Sequence, residues 1–132
     1  MKKYLATILL LVGVVMLFSG CTQKNTVEIV KKESFYSDFT VEGNKVYIKC
    51  ELAVDNSTGQ EATVEFYADF PDDVNIGLLT SARLMGYQEN GGTSEFSLAE
   101  GKQRVVVVFI GDFAGTNQKH DRNLPNITLV RK

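Results

Sequence analysis

The chain has 132 residues, room for one domain. Lys and Arg number 14 against 16 Asp and Glu, a formal net charge of −2, which argues against a nucleic-acid binder and its basic stripe. One His, two Cys and no Trp leave little material for catalytic or metal chemistry, and nothing calls for a cofactor.

The chain opens on Met1-Lys2-Lys3, a short positive stretch, followed by an apolar run over residues 4–18 broken only by Thr7 and Gly13. A bilayer core of ~30 Å needs about 20 apolar residues as helix. Fifteen residues is short for a span and right for the apolar segment of a signal peptide. Ser19 and Gly20 are small, as a cleavage site requires, and polarity begins at Thr22.

Leu17-Phe18-Ser19-Gly20-Cys21 resembles the lipobox of bacterial lipoproteins. The slot three residues before the Cys holds Phe18, where that family usually has Leu, and Leu17 lies one step further away. The Ala-x-Ala of a plain secretory site is absent. The resemblance covers residues 1–21 and implies that Cys21 carries a diacylglycerol on its sulfur. It also implies that the leader is cut before Cys21 and that acyl chains such as palmitate anchor the domain on the extracytoplasmic side of the cell membrane. Residues 1–20 would then be the signal peptide, 21–26 a lipidated tether and 27–132 the folded domain. Acyl CH₂ groups contribute ~0.8 kcal/mol each, so two or three chains would hold the domain on a membrane where one would not. Losing Lys2 and Lys3 with the leader takes the net charge to −4, and such a domain stands off an anionic surface.

An opening strand is expected within 27–39, using Val27, Ile29 and Phe35. Val46, Ile48, Cys50, Leu52 and Val54 alternate with polar or small residues, the period of a half-buried strand. Cys50 falls on its apolar face and reads as a small buried hydrophobe, although with Cys21 lipidated it has no partner in the chain. Val64, Phe66, Ala68 and Phe70 alternate in the same way. Asn56-Ser57-Thr58-Gly59 is a turn cluster, and a hairpin between these two strands is expected.

Asp69, Asp72 and Asp73, with Pro71 among them, form a small acidic cluster. They are weak candidates for a metal site, since Ca²⁺ wants six to eight oxygens and no Asp-x-Asp-x-Asp-Gly loop is present; a solvated turn is the simpler reading. Residues 77–85 could form a helix with Leu78, Ala82 and Met85 on one face, but an extended reading is preferred. Residues 83–87 make a candidate strand before the turn signal Asn90-Gly91-Gly92, and 94–98 alternate as another. Six apolar β-formers, 105–110, suggest a central strand covered on both faces. Ile127 and Leu129 mark a closing strand.

Seven or so short antiparallel strands with frequent turns predict an all-β domain, a β-sandwich. Phe96-Ser97-Leu98-Ala99-Glu100-Gly101 followed by Val105-Val106-Val107-Val108-Phe109 resembles the strand–turn–strand of immunoglobulin-like modules in bacterial surface lipoproteins. That resemblance covers about a quarter of the chain and implies an immunoglobulin-like β-sandwich without the antibody-type Cys…Trp…Cys core, and no particular activity.

His120 lacks what a Ser-His-acid triad needs around it, and no Gly-x-Ser-x-Gly elbow exists. Residues 111–126 read as a 16-residue stretch without strand character, and loops of that length are often functional. It carries Phe113, Lys119, His120 and Arg122, an aromatic and basic set on an acidic domain, and is the candidate binding loop. The expectation is a non-enzymatic envelope lipoprotein that contacts membrane lipid through Cys21 and another envelope protein through this loop. The alternative is a small-ligand or cation binder. Asn56-Ser57-Thr58 and Asn126-Ile127-Thr128 match a glycosylation pattern that a bacterial setting makes accidental.

Overall fold

A computed structural model describes residues 25–90, 92–116 and 122–132. Cys21 and the whole leader lie outside these residues, as do Lys119 and His120. The described chain is all-β and antiparallel: β1 (Val27–Ile29), β2 (Phe35–Glu42), β3 (Lys45–Asn56), β4 (Ala62–Asp69), β5 (Arg83–Gln88), β6 (Phe96–Leu98), β7 (Gly101–Asp112) and β8 (Asn126–Arg131). One 3₁₀ turn covers Lys31–Glu33, and one short helix, α1, covers Pro71–Asn75.

The strands run as one continuous ladder. β1 and β2 pair end to end along one edge of β3, and β3 pairs β7 over its whole length, from Lys45↔Asp112 to Asn56↔Gly101. β4 takes β8 on one side, with β5 and β6 end to end on the other. β5 joins the two halves: Arg83, Leu84 and Met85 pair with β4, whereas Gly86, Tyr87 and Gln88 pair with β7. The two halves therefore share a strand and curl into a nearly closed barrel, with eight strands where seven were expected. Gly86 sits at the change of partner. A Cβ there would lie 2.3 Å from Val107 Cγ1 and 3.1 Å from Phe109 Cε1, so only glycine lets β5 cross this closely.

The expected hairpin of β3 with β4 does not form. β3 pairs with β1, β2 and β7, and β4 with β5, β6 and β8, so the turn at Asn56 carries the chain from one half of the barrel to the other. The reason is visible in burial. Both strands put an unbroken alternate row inward: Val46, Ile48, Cys50, Leu52 and Val54 from β3, and Ala62, Val64, Phe66 and Ala68 from β4. Set on opposite halves of the barrel, the two rows fill the core from both sides.

Phe66 meets Phe96 edge-on at 5.1 Å and Phe70 meets Phe109 at 5.9 Å, in the T-shaped arrangement aromatic pairs favour. Cys50 is fully buried, and burial pushes its thiol up to about 12. Residues 77–82 are not helical, and 83–85 belong to β5. β7 is central in its pairing but is not covered on both faces: Val107 and Phe109 are buried, whereas Val106, Val108 and Ile110 stay half-exposed on the outside.

Candidate functional site

β3 defines the long axis of the barrel, with 12 residues spanning roughly 36 Å. At its Asn56 end lie the start of β1, the turn after β3 and the turn between β6 and β7. At its Lys45 end lie α1, the β2–β3 turn, the end of β7 and the start of β8. The acidic cluster and the described stems of the candidate loop both fall at the Lys45 end, and the fold brings the cluster and residues 122–126 into one cleft.

α1 begins because Phe70 leaves β4 and Pro71 takes the first helical position, where its fixed φ is already helical and its missing N–H costs nothing. It ends after one turn. Gly77, at φ +81°, reverses the chain, and the Leu78 and Leu79 N–H groups both donate to the Asp73 carbonyl at 2.9 and 3.1 Å. Leu78 and Leu79 are thereby driven into the core.

This turn fixes the Asp73 side chain. Arg122 Nη2 donates to its Oδ1 at 2.6 Å and Nη1 to its Oδ2 at 3.0 Å, a bidentate pair with side chains 9 % and 5 % exposed. The guanidinium also stacks on the Phe39 ring of β2, 4.4 Å from its centroid. Arg122 is therefore not a free cation offered to a partner. It ties the chain before β8 to α1 and to β2 across the open side of the barrel.

The 111–126 stretch is shorter as a loop than its sequence suggested. β7 continues to Asp112, and the next four residues zip onto residues 77–80 and the β2–β3 turn. The Phe113 N–H donates to the Asn44 carbonyl at 2.8 Å, Ala114 to Leu78 at 2.8 Å and Thr116 to Gly77 at 3.0 Å. Phe113 packs against the core. Of the four candidate loop residues, Phe113 and Arg122 are thus anchors of its two stems.

Beside the ion pair opens a cleft of about 290 Å³, lined by Tyr36, Ile48, Asp69, Phe70, Pro71, Asp72 and Asp73 and by residues 122–126. Burial raises the Tyr36 hydroxyl, with Arg122 pulling the other way. Asp69 leans toward Arg83 at 3.9 Å, and Asp72 is exposed on α1. The three acids do not converge: among the described residues no group of three or more His, Cys, Asp or Glu side chains could hold a metal ion. Asp73 is paired with Arg122 and Asp69 lies near Arg83, which leaves Asp72 as the exposed acid of the rim.

The opposite end is closed by Asn56, fully buried. Its Nδ2 donates to the carbonyls of Gln60 at 2.8 Å, Leu98 at 3.2 Å and Ala99 at 3.1 Å, while its Oδ1 accepts from the Thr58 N–H and hydroxyl. The sequence offered Asn56 only as a turn residue and an accidental glycosylation match. Its role appears only when the fold brings the distant carbonyls of Leu98 and Ala99 onto it. Compared with protein-family models, with curated proteins and with solved structures, the chain has no match.

Proposed function

We propose that this chain is a membrane-anchored bacterial envelope lipoprotein, acylated at Cys21, whose domain is a non-enzymatic protein-interaction module. The observation that carries the reading is the separation of the two ends of the barrel. The described chain enters at Asn25, beside the Asn56 end, so a tether from Cys21 leaves from there. The cleft and both stems of the 117–121 segment lie at the other end, roughly 36 Å along β3. A lipid at one end leaves the other free to meet a partner away from the bilayer. The immunoglobulin-like kinship belongs to the same proposal and is supported by the β6–turn–β7 unit.

Mass spectrometry of the mature N-terminus tests the anchor. A terminal peptide starting at acylated Cys21, with Cys21→Ser releasing the chain from membranes, is expected; an intact Met1 or cleavage elsewhere overturns it. The binding loop is tested at Lys119, because reversing Arg122 would break a buried ion pair and confuse folding with binding. Lys119→Glu is expected to weaken partner recovery, and unchanged recovery removes the loop from the proposal.

A small-ligand or cation-binding role is the second reading, favoured by the cleft with Asp69 and Asp72 on its rim. A ligand that binds only the folded state raises Tm. A rise at millimolar Ca²⁺ supports this reading, and no rise counts against it.

A further inference from the structure

β6 and β7 follow one another through the turn at Ala99 and Glu100, yet no ladder joins them. β6 pairs only with β4, and β5 covers the second edge of β7 only at 107–109. The barrel wall is therefore split between β6 and residues 101–106 of β7. A glutamine amide bridges each end of the split. At the turn, Gln103 Nε2 donates to the Ala99 carbonyl and its Oε1 accepts from the Ala99 N–H at 3.0 Å. At the far end, Gln88 Nε2 donates to the Glu95 carbonyl at 2.8 Å. Between them opens a slot of about 520 Å³, lined by Gln88, Asn90, Phe96, Ser97, Val105 and Val106. The slot reaches the core. Val105 shares the inward row of β7 with Val107 and Phe109, which are fully buried, yet it is half-exposed.

We propose that this slot takes an extended segment of a partner protein that carries lysine or arginine, added as a strand between β6 and β7. Main-chain chemistry selects an extended chain. Along a strand, alternate residues aim N–H and C=O to the same side, so both walls of the slot offer donors and acceptors that no described strand takes. A peptide strand answers both walls at once, and its inward side chain covers Val105. Strand edges left to water are commonly guarded by Lys, Pro or a bulge. β6 has none of these, and Lys102 and Arg104 of β7 turn away, to Glu33 and to the ring of Phe35.

The charges select the sign of the segment. Glu95 stands at the Gln88 end of the slot and Glu100 at the turn, both exposed and neither in an ion pair among the described residues. Each nearby lysine already has a carboxylate: Lys49 has Glu89, Lys102 has Glu33, and Lys132 has Glu65 at 3.2 Å with Glu95 close by. Glu51, opposite Val106, adds an acid on the outer face, where Arg104 is the cation. The surround is acidic on balance, so a cationic segment is attracted and an acidic one repelled. The cleft opens at the other break in the wall, between β2 and β8, so the two sites are separate and this one does not depend on a lipid anchor.

The test uses the full-length chain in a neutral detergent and a short probe peptide of alternating threonine and valine with a lysine at each end. At millimolar peptide, backbone hydrogen exchange is expected to slow several-fold in β6 and at 103–106 of β7, and not in β8. The same peptide with N-methylated peptide bonds keeps its side chains and charge but cannot form a ladder, and is expected to give no slowing. Glu95→Lys with Glu100→Lys should weaken the lysine-ended peptide several-fold and favour a peptide with glutamate ends. Both side chains are exposed, so Tm is expected to stay unchanged in this double variant. No slowing at millimolar peptide, equal slowing by the methylated peptide, or an unchanged charge preference in the double variant overturns the proposal. Slowing at the same residues that grows with chain concentration and needs no peptide means that a second copy fills the slot, and this too overturns it.

Discussion

At the end where the chain enters, the barrel is closed by a neutral amide; at the other end it is closed by an ion pair. Asn56 reaches the carbonyls of Gln60, Leu98 and Ala99, and every bond it makes is local to two neighbouring turns. Arg122 and Asp73 instead join segments 49 residues apart and bridge the open side between β2 and β8. A buried amide needs only good geometry. A buried ion pair must also offset the desolvation of two charges, so it secures the position of a segment better than it adds net stability. The end with the ion pair is the end with the cleft and the described stems of the candidate loop.

The sharpest way to break this comparison is to remove half of the ion pair. Asp73→Asn leaves the Arg122 charge buried and should cost about 3–5 kcal/mol in denaturant unfolding. Replacing both partners, Asp73→Leu with Arg122→Met, should recover most of that loss, because two apolar side chains leave no stranded charge. A double variant as unstable as the single would mean that the pair supplies stability rather than position.

Asn56→Ala is expected to cost about 1–3 kcal/mol, since the Leu98 carbonyl loses this donor and the Asn56 amide leaves a gap, while Thr58 still donates to the Gln60 carbonyl and Gln103 to that of Ala99. Asn56→Asp should cost a similar amount, because a carboxylate cannot donate to those carbonyls. Gly86→Ala is the next test, at about 1–3 kcal/mol, because its Cβ would overlap Val107 and force β5 off β7.

The smallest effect near neutral pH concerns Cys50, whose contribution grows only in alkali. Its folded thiol is raised to about 12, against an ordinary value of 9.0. Above pH 9 the unfolded chain loses this proton and the folded chain keeps it, so the unfolded state binds fewer protons and stability falls as pH rises towards 12. The slope from this one group is at most about 1.4 kcal/mol per pH unit, and the difference between wild type and Cys50→Ala isolates it. Near neutral pH, a thiol reagent should reach Cys50 only at the rate of unfolding.

Much of this was legible in the sequence. The alternation from Val46 to Val54 gives β3 and the burial of Cys50, and Ile127 with Leu129 gives β8. What could not be read was which strand lies beside which. A turn such as Asn56-Ser57-Thr58-Gly59 serves a hairpin or a crossing between layers equally well, and local pattern does not distinguish them. The division of β5 between two partners left one mark, Gly86, and a glycine in a strand has several causes. Pro71 followed by Asp72 and Asp73 was a helix start that could have been recognised. The bond between Asp73 and Arg122 left no local mark, so two candidate sites that form one cleft read as separate.

The proposed function gives the barrel a tethered end and a binding end. A photo-crosslinking residue at Asn123, beside the cleft, against one at Gln60, at the entry end, tests it directly in intact cells. One recurring envelope protein is expected to be captured from Asn123 and not from Gln60. Capture of the same partner from Gln60 alone, or from neither position, would contradict it.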